Sequence, residues 1–122
     1  MMELLFATGN AYKLEEVRAI LAPRGIVVRS LVDIGRVPEE PEEDGATFEE
    51  NARLKARYYA RELGLTCVAD DSGLEVDALG GAPGVHSARY AGPESDEAAS
   101  RAQLLGALAG LPGRRARFRT VL

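Results

Sequence analysis

Long apolar stretches are missing from this sequence. No run approaches the roughly 18 residues that a membrane-crossing helix needs. The N-terminus has no basic segment leading into a long apolar one, so no secretory signal is visible. Cysteine is nearly absent. Cys67 is the one example, and within an apolar segment it reads as a small buried hydrophobe rather than a reactive thiol. A lone cysteine without a signal points to the cytosol. Excess positive charge is missing too: the net charge is −4, which gives no general drive toward nucleic acid or membrane. There is a single histidine, His86, and no spacing pairs it with a nucleophile or a metal ligand. Neither Gly-x-x-x-x-Gly-Lys-[Ser/Thr] nor Gly-x-Gly-x-x-Gly occurs, which excludes those two phosphate-binding loops. Internal repeats, low-complexity tracts and flexible linkers are also lacking. At 122 residues the chain is read as one α/β domain, 1–122, with ordinary apolar content and a modest core.

What is present centres on residues 65–74. Leu65-Thr66-Cys67-Val68-Ala69 reads as a short buried strand, and it runs into Asp70-Asp71-Ser72-Gly73. In open α/β sheets ligands bind beyond the carboxyl ends of strands. Magnesium takes one or two carboxylates together with waters and phosphate oxygens. Asp70, Asp71 and Ser72 meet that need; the same letters also make an ordinary turn.

Glu3–Ala7 reads as a first strand, followed by a tight turn at Thr8-Gly9-Asn10 and a helix carrying Leu14, Val17, Ile20 and Leu21 on one face, ended by Pro23 and Gly25. Strand, glycine turn and helix aim backbone N–H groups at an anion. Lys13 stands on the first turn, where the helix dipole disfavours a cation, so an anion facing it would account for the position; a solvated surface lysine is the alternative. Residues 26–31 read as a second strand and 33–46 as a loop in which Glu39, Glu40, Glu42, Glu43 and Asp44 crowd around Pro41. Most of these acids are expected to be solvated, and one is enough to serve a metal. Thr47-Phe48-Glu49-Glu50 reads as a capping box. The helix it opens runs to about Leu63, with an apolar stripe of Phe48, Ala52, Ala56, Tyr59 and Leu63 and with Asn51 and Lys55 sharing the flank. That flank either reaches a phosphate or faces solvent. Leu74–Leu79 alternates like a strand with one wet face, and Gly80–Gly84 reads as a loop. Arg89 suits a phosphate or an aspartate partner. Asp96 reads as the N-cap of a helix carrying Leu104, Leu105, Leu108 and Leu111. Residues 114–122 start as a basic turn and become a strand whose Ala116, Phe118, Thr120 and Leu122 face a core, with the arginines on a solvated face.

Three separated stretches together resemble the inosine triphosphatase family, pyrophosphatases of non-standard purine nucleoside triphosphates. They are Thr8-Gly9-Asn10-x-x-Lys13-x-x-Glu16, then residues 43–56 from Glu43-Asp44-Gly45 to Lys55-Ala56, and then Ala69-Asp70-Asp71-Ser72-Gly73-Leu74 with Gly81–Tyr90. The resemblance implies a mixed central sheet flanked by helices with a cleft, a homodimer, and magnesium-dependent hydrolysis of ITP, dITP and XTP to monophosphate and pyrophosphate. By position, Thr8, Gly9, Asn10, Ala11, Tyr12 and Lys13 correspond to the triphosphate-binding loop. Lys55 corresponds to a further phosphate contact, Ser72 to a substrate contact and Asp71 to the proton acceptor and metal ligand. Glu42 is the match for the second metal-binding acid, in a loop that also aligns with a one-residue slip.

The physical requirements agree. A triphosphate brings about four negative charges that must be neutralised before water approaches. The loop amides, Lys13 and Lys55 supply positive potential, and Mg2+ on Asp71 and an acid near Glu42 would bridge phosphate oxygens. Asp70 is a second carboxylate able to orient or deprotonate the water. Members of the family continue with a Gly-Phe-Gly-Tyr-Asp-Pro segment and a Ser-His-Arg segment that hold the base; these 122 residues contain neither. The chain is therefore expected to be the N-terminal portion of such an enzyme. The rival expectation is a triphosphate-binding module, or a fragment that completes a sheet, without turnover.

Overall fold

The computed structural model describes residues 2–92 and 96–122. Backbone contacts divide the chain into two compact units, the first built from Met1–Gly45, Glu49–Asp70 and Leu122, the second from Ala46–Phe48 and Asp71–Val121.

In the first unit β1 (Met2–Phe6) lies between β2 (Ile26–Arg29) and β3 (Cys67–Val68), and both pairings are parallel. Alternate residues of a strand face opposite sides of a sheet. Leu4 and Phe6 accordingly pack with Val28 under Leu14, Val17 and Leu21 of α1 (Ala11–Leu21). Leu5 and Ala7 pack with Ala69 under Ala56, Tyr59 and Leu63 of α3 (Phe48–Leu63). Helices thus cover both faces of a parallel sheet, the arrangement such sheets require. Leu5 and Phe6 are among the most deeply buried side chains, and sequestering each contributes about 1.5–3 kcal/mol. The apolar spacings in both helices and the strand alternation foretold these layers, except that Ile20, expected on the buried face of α1, is exposed. Gly64, with φ +65°, ends α3 where the sequence placed the stop.

Strand β2 is shorter than its apolar letters suggest. Ser30 leaves the strand and caps a short helix, α2 (Leu31–Ile34). Its hydroxyl accepts from the Asp33 amide at 3.0 Å, and the Asp33 carboxylate accepts from the Ser30 amide at 3.0 Å. This reciprocal cap overrides the strand preference of Ser30-Leu31. The Ser30 amide, above all, holds the Asp33 carboxyl below its usual value.

In the second unit β4 (Asp71–Val76) pairs antiparallel with β5 (Ala116–Val121). The strand expected over 74–79 therefore starts earlier, at Asp71, and gives way to a 3-10 turn at Asp77–Leu79. Asp71, Ser72 and Gly73 are ladder residues opposite Val121, Thr120 and Arg119, not a turn. Gly73 is required by close approach: a Cβ there would sit 2.3 Å from the Gly84 carbonyl oxygen and 2.8 Å from Ser87 Oγ. The 3-10 segment Gly84–Arg89 is pinned to β4 through Ser87, whose Oγ accepts from the Leu74 amide at 2.9 Å and donates to the Gly84 carbonyl at 2.7 Å. The Gly-Ala-Pro-Gly-Val-His-Ser motif is thus accounted for by packing. Helix α4 (Glu97–Leu108) starts from Asp96, which accepts from the Ala99 amide at 2.6 Å.

The face of β5 expected to meet a core is exposed: Phe118 is 85% and Leu122 73% accessible, and Ala116 and Thr120 are open as well. Among the described residues β5 has one partner strand, and nothing covers that face. Two of its arginines form ion pairs, Arg117 with Asp77 at 2.9 Å and Arg119 with Glu75 at 3.2 Å. Among the described residues no helix is long and apolar enough to cross a membrane.

Candidate functional site

Because β1 and β3 run parallel and adjacent, their carboxyl ends emerge side by side. The turn after β1 carries Thr8, Gly9 and Asn10, and the segment after β3 carries Asp70. The turn is tied by its own side chains. Thr8 Oγ1 accepts from the Asn10 amide at 3.1 Å. Asn10 Oδ1 accepts from the amides of Tyr12 and Lys13 at 3.0 and 3.1 Å, which makes Asn10 the N-cap of α1. Gly9 and Asn10 are exposed, and a Cβ at Gly9 would meet nothing within 4 Å. The backbone of this turn is therefore open to a ligand. Ala11 and Tyr12, at the start of α1, are also exposed.

Lys13 reaches across from α1 to Asp70. Its Nζ lies 2.6 Å from Asp70 Oδ2, and Asp70 is 3% accessible. The anion facing this unfavourably placed lysine thus includes a carboxylate of the chain itself. A buried carboxylate needs such a partner. Asp70 fixes a cation at the end of the sheet, so its position suits holding Lys13 rather than activating water.

A second group lies along α3. Lys55 Nζ is 3.2 Å from Glu43 Oε1. Asn51, fully buried, accepts from the Gly45 amide at 2.8 Å, and the Tyr58 hydroxyl donates to the Glu39 carbonyl. Glu42 faces elsewhere. With Pro41, Asp44 and Glu50 it lines a groove of about 590 Å³ against Arg53, Leu54, Arg57, Tyr58 and Arg61 of the same helix. The acidic loop is therefore applied to α3, and Glu43, not Glu42, is the acid beside Lys55. The sequence had singled out neither Asn51's amide bond to Gly45 nor the Arg53, Arg57, Arg61 row. The row's four-residue spacing was the available signal for a shared face.

In the second unit Asp71 is 9% accessible at the start of β4. Ser72 Oγ lies 2.8 Å from Thr120 Oγ1 on β5. Arg89 and His86 are exposed. In the first unit burial pushes the Cys67 thiol up from its ordinary value, in keeping with a packed hydrophobe.

Among the described residues no three Asp, Glu, His or Cys side chains gather into a metal cage. Zinc and calcium favour such cages, whereas magnesium uses one or two carboxylates and takes the rest of its shell from water and phosphate.

The model of the Ham1 family matches residues 4–122. A dITP/XTP pyrophosphatase of Syntrophobacter fumaroxidans is 56% identical over 119 residues, which are 98% of this chain and 51% of the relative. The dITP/XTP pyrophosphatase of Bacillus subtilis is 49% identical over 124 residues, 100% of this chain and 62% of the relative. Among solved structures, a HAM1 protein from Coxiella burnetii superposes with a TM-score of 0.87 at 41% identity, covering 99% of this chain and 61% of its own. The nucleoside-triphosphatase / dITP/XTP pyrophosphatase of Mycobacterium abscessus gives 0.79 at 47% identity, covering 98% and 63%. The chain thus spans between about half and two thirds of the length of these relatives.

Proposed function

The chain belongs to the Ham1 family, and from that membership we propose that it carries the triphosphate-handling part of a cytoplasmic, homodimeric pyrophosphatase that converts dITP, ITP and XTP to monophosphate and pyrophosphate. The observation that supports the reading is the exposed turn Thr8–Asn10 at the carboxyl ends of two parallel strands, with Lys13 beside it on the first turn of α1, held by Asp70. Thr8, Gly9, Asn10, Ala11 and Tyr12 present the turn to the phosphates, and Lys13 and Lys55 supply fixed positive charge. Ser72 contacts the substrate. Asp71 and Glu42 would hold Mg2+, which when bound neutralises phosphate charge. Asp71 takes the proton of the attacking water. Oxygen joins the α-phosphorus, the bond to the bridging oxygen breaks, and pyrophosphate leaves.

The test is product analysis with ITP and Mg2+. Inosine monophosphate and pyrophosphate in equal amounts, absent when EDTA is added, are the expected result. Orthophosphate as the first product would contradict it. A second reading is that these residues bind the triphosphate without turnover. Binding of ITP with no product would select that reading.

A further inference from the structure

Asp70 leaves β3 at the level where the Thr8–Asn10 turn leaves β1. The last paired positions are Phe6 and Val68, and Thr8 and Asp70 each stand two residues beyond them. The Asp70 side chain is 4% exposed, whereas that of Lys13 keeps 35%. The carboxylate is thus the inner member of the pair and the lysine the outer one. A mobile lysine must give up rotamer freedom when it grips a ligand. Lys13 has given it up already, because its Nζ is held 2.6 Å from Asp70 Oδ2. Two roles for Asp70 make opposite predictions. A carboxylate so close cancels part of the ammonium's charge, which by itself weakens the attraction for an anion. A carboxylate that fixes the ammonium in place lowers the cost of binding one. Removing its charge tightens an anion in the first case and loosens it in the second.

We propose that Asp70 is the positioning residue of Lys13: it holds the ammonium beside the Thr8–Asn10 turn for a phosphate group, and this gain outweighs the charge that it cancels. The proposal rests on the phosphate role given to Lys13 above. It gives the first aspartate of the Asp70-Asp71 pair a task separate from proton transfer, and it requires no divalent cation. Every residue it uses belongs to the first compact unit.

The test is calorimetric titration of the whole chain with inorganic tripolyphosphate in EDTA, so that no metal contributes. Asp70→Asn is expected to weaken tripolyphosphate by about threefold or more. A smaller loss, or tighter binding, overturns the proposal. In a Lys13→Ala background the same change is expected to leave affinity unchanged or to raise it, since only the carboxylate's repulsion is then removed. A further loss there means that Asp70 acts by another route, and overturns the proposal. The amides of Leu5 and Ala7, bonded to the Thr66 and Val68 carbonyls, report on the sheet by hydrogen exchange. They are expected to keep their protection in Asp70→Asn; lost protection overturns the proposal, because Asp70 would then support the sheet rather than one lysine. A measurement on the parent needs no variant to fold. The chain has two lysines, Lys13 and Lys55, so isotope-labelled lysine gives two ammonium signals. Lys13 Nζ is expected to exchange its protons more slowly than the free amino acid, and an equal rate overturns the proposal. Lys13→Ala separates the two readings. If the parent does not bind tripolyphosphate, or Lys13→Ala binds it as well as the parent, the phosphate role of Lys13 fails and the proposal with it. If Lys13→Ala weakens binding and Asp70→Asn does not, the phosphate role stands and the positioning role fails.

Discussion

Asp71→Asn is expected to reduce pyrophosphate release from ITP by about a hundredfold or more, a barrier increase of about 2.7 kcal/mol. The substitution is nearly isosteric. β4 is held by its backbone ladder to β5, in which residue 71 stands opposite Val121, so the strand has no reason to dissolve. Burial to 9% accessibility is easier for an amide than for a carboxylate, which protects the fold further. What is lost is charge: an amide neither binds a hard divalent cation as a carboxylate does nor accepts a proton from water. A variant that folds and keeps more than about a tenth of the parent rate, a change under about 1.4 kcal/mol, would remove Asp71 from the chemistry.

Lys13→Ala is expected to weaken Mg2+-triphosphate by about 10–100-fold while leaving the much weaker binding of inosine unaltered, because in the proposed function the lost group supplies charge to the phosphates. The variant also strips Asp70 of its cation. Asp70 is buried and Lys13 about a third exposed, so the cost to stability is expected near 1–3 kcal/mol rather than that of a fully buried pair. Parallel calorimetric titrations of ITP and inosine, with a urea melt of each protein, measure both effects. Lys55→Ala repeats the logic with Glu43 as the abandoned partner at 3.2 Å, and a smaller stability cost is expected because Glu43 is more exposed than Asp70. Equal losses for ITP and inosine would make these lysines purely structural.

Much of the scaffold around these residues was legible in the letters. Leu4, Phe6 and Leu5, Ala7 alternate as a strand buried on both faces must. The apolar spacing of α1 and α3 matched the faces that cover it, and Gly64 and Asp96 stood where helix ends need them. The motif turn at Thr8–Asn10 was likewise readable, since Asn and Thr beside Gly are the residues that cap a helix through their own side chains.

What could not be read was set by contacts distant in sequence. The Lys13–Asp70 pair joins positions 57 apart, and it depends on β1 and β3 lying side by side. The same letters left Lys13 between phosphate ligand and surface residue, and Asp70 between base and bystander. Asp71-Ser72-Gly73 has turn composition, but pairing with β5 drew it into a strand, the usual way that tertiary context overrides local preference. Ala116, Phe118, Thr120 and Leu122 alternate correctly for a strand, yet periodicity says only that two faces differ, not which of them is covered. In the acidic loop, composition could not distinguish Glu42 from Glu43. The difference lies in contacts with α3, where Glu43 meets Lys55 and Glu42 lines the groove beside Arg53, Arg57 and Arg61.

The claim on which the rest depends is that these residues recognise a triphosphate before they recognise a base. Isothermal titration of the chain with ITP, inorganic tripolyphosphate and inosine, all in the presence of Mg2+, tests it directly. ITP and tripolyphosphate are expected to bind within about tenfold of one another, and inosine about a hundredfold or more weaker, a gap of about 2.7 kcal/mol or more. Inosine binding as tightly as ITP, or tripolyphosphate failing to bind, would contradict the account.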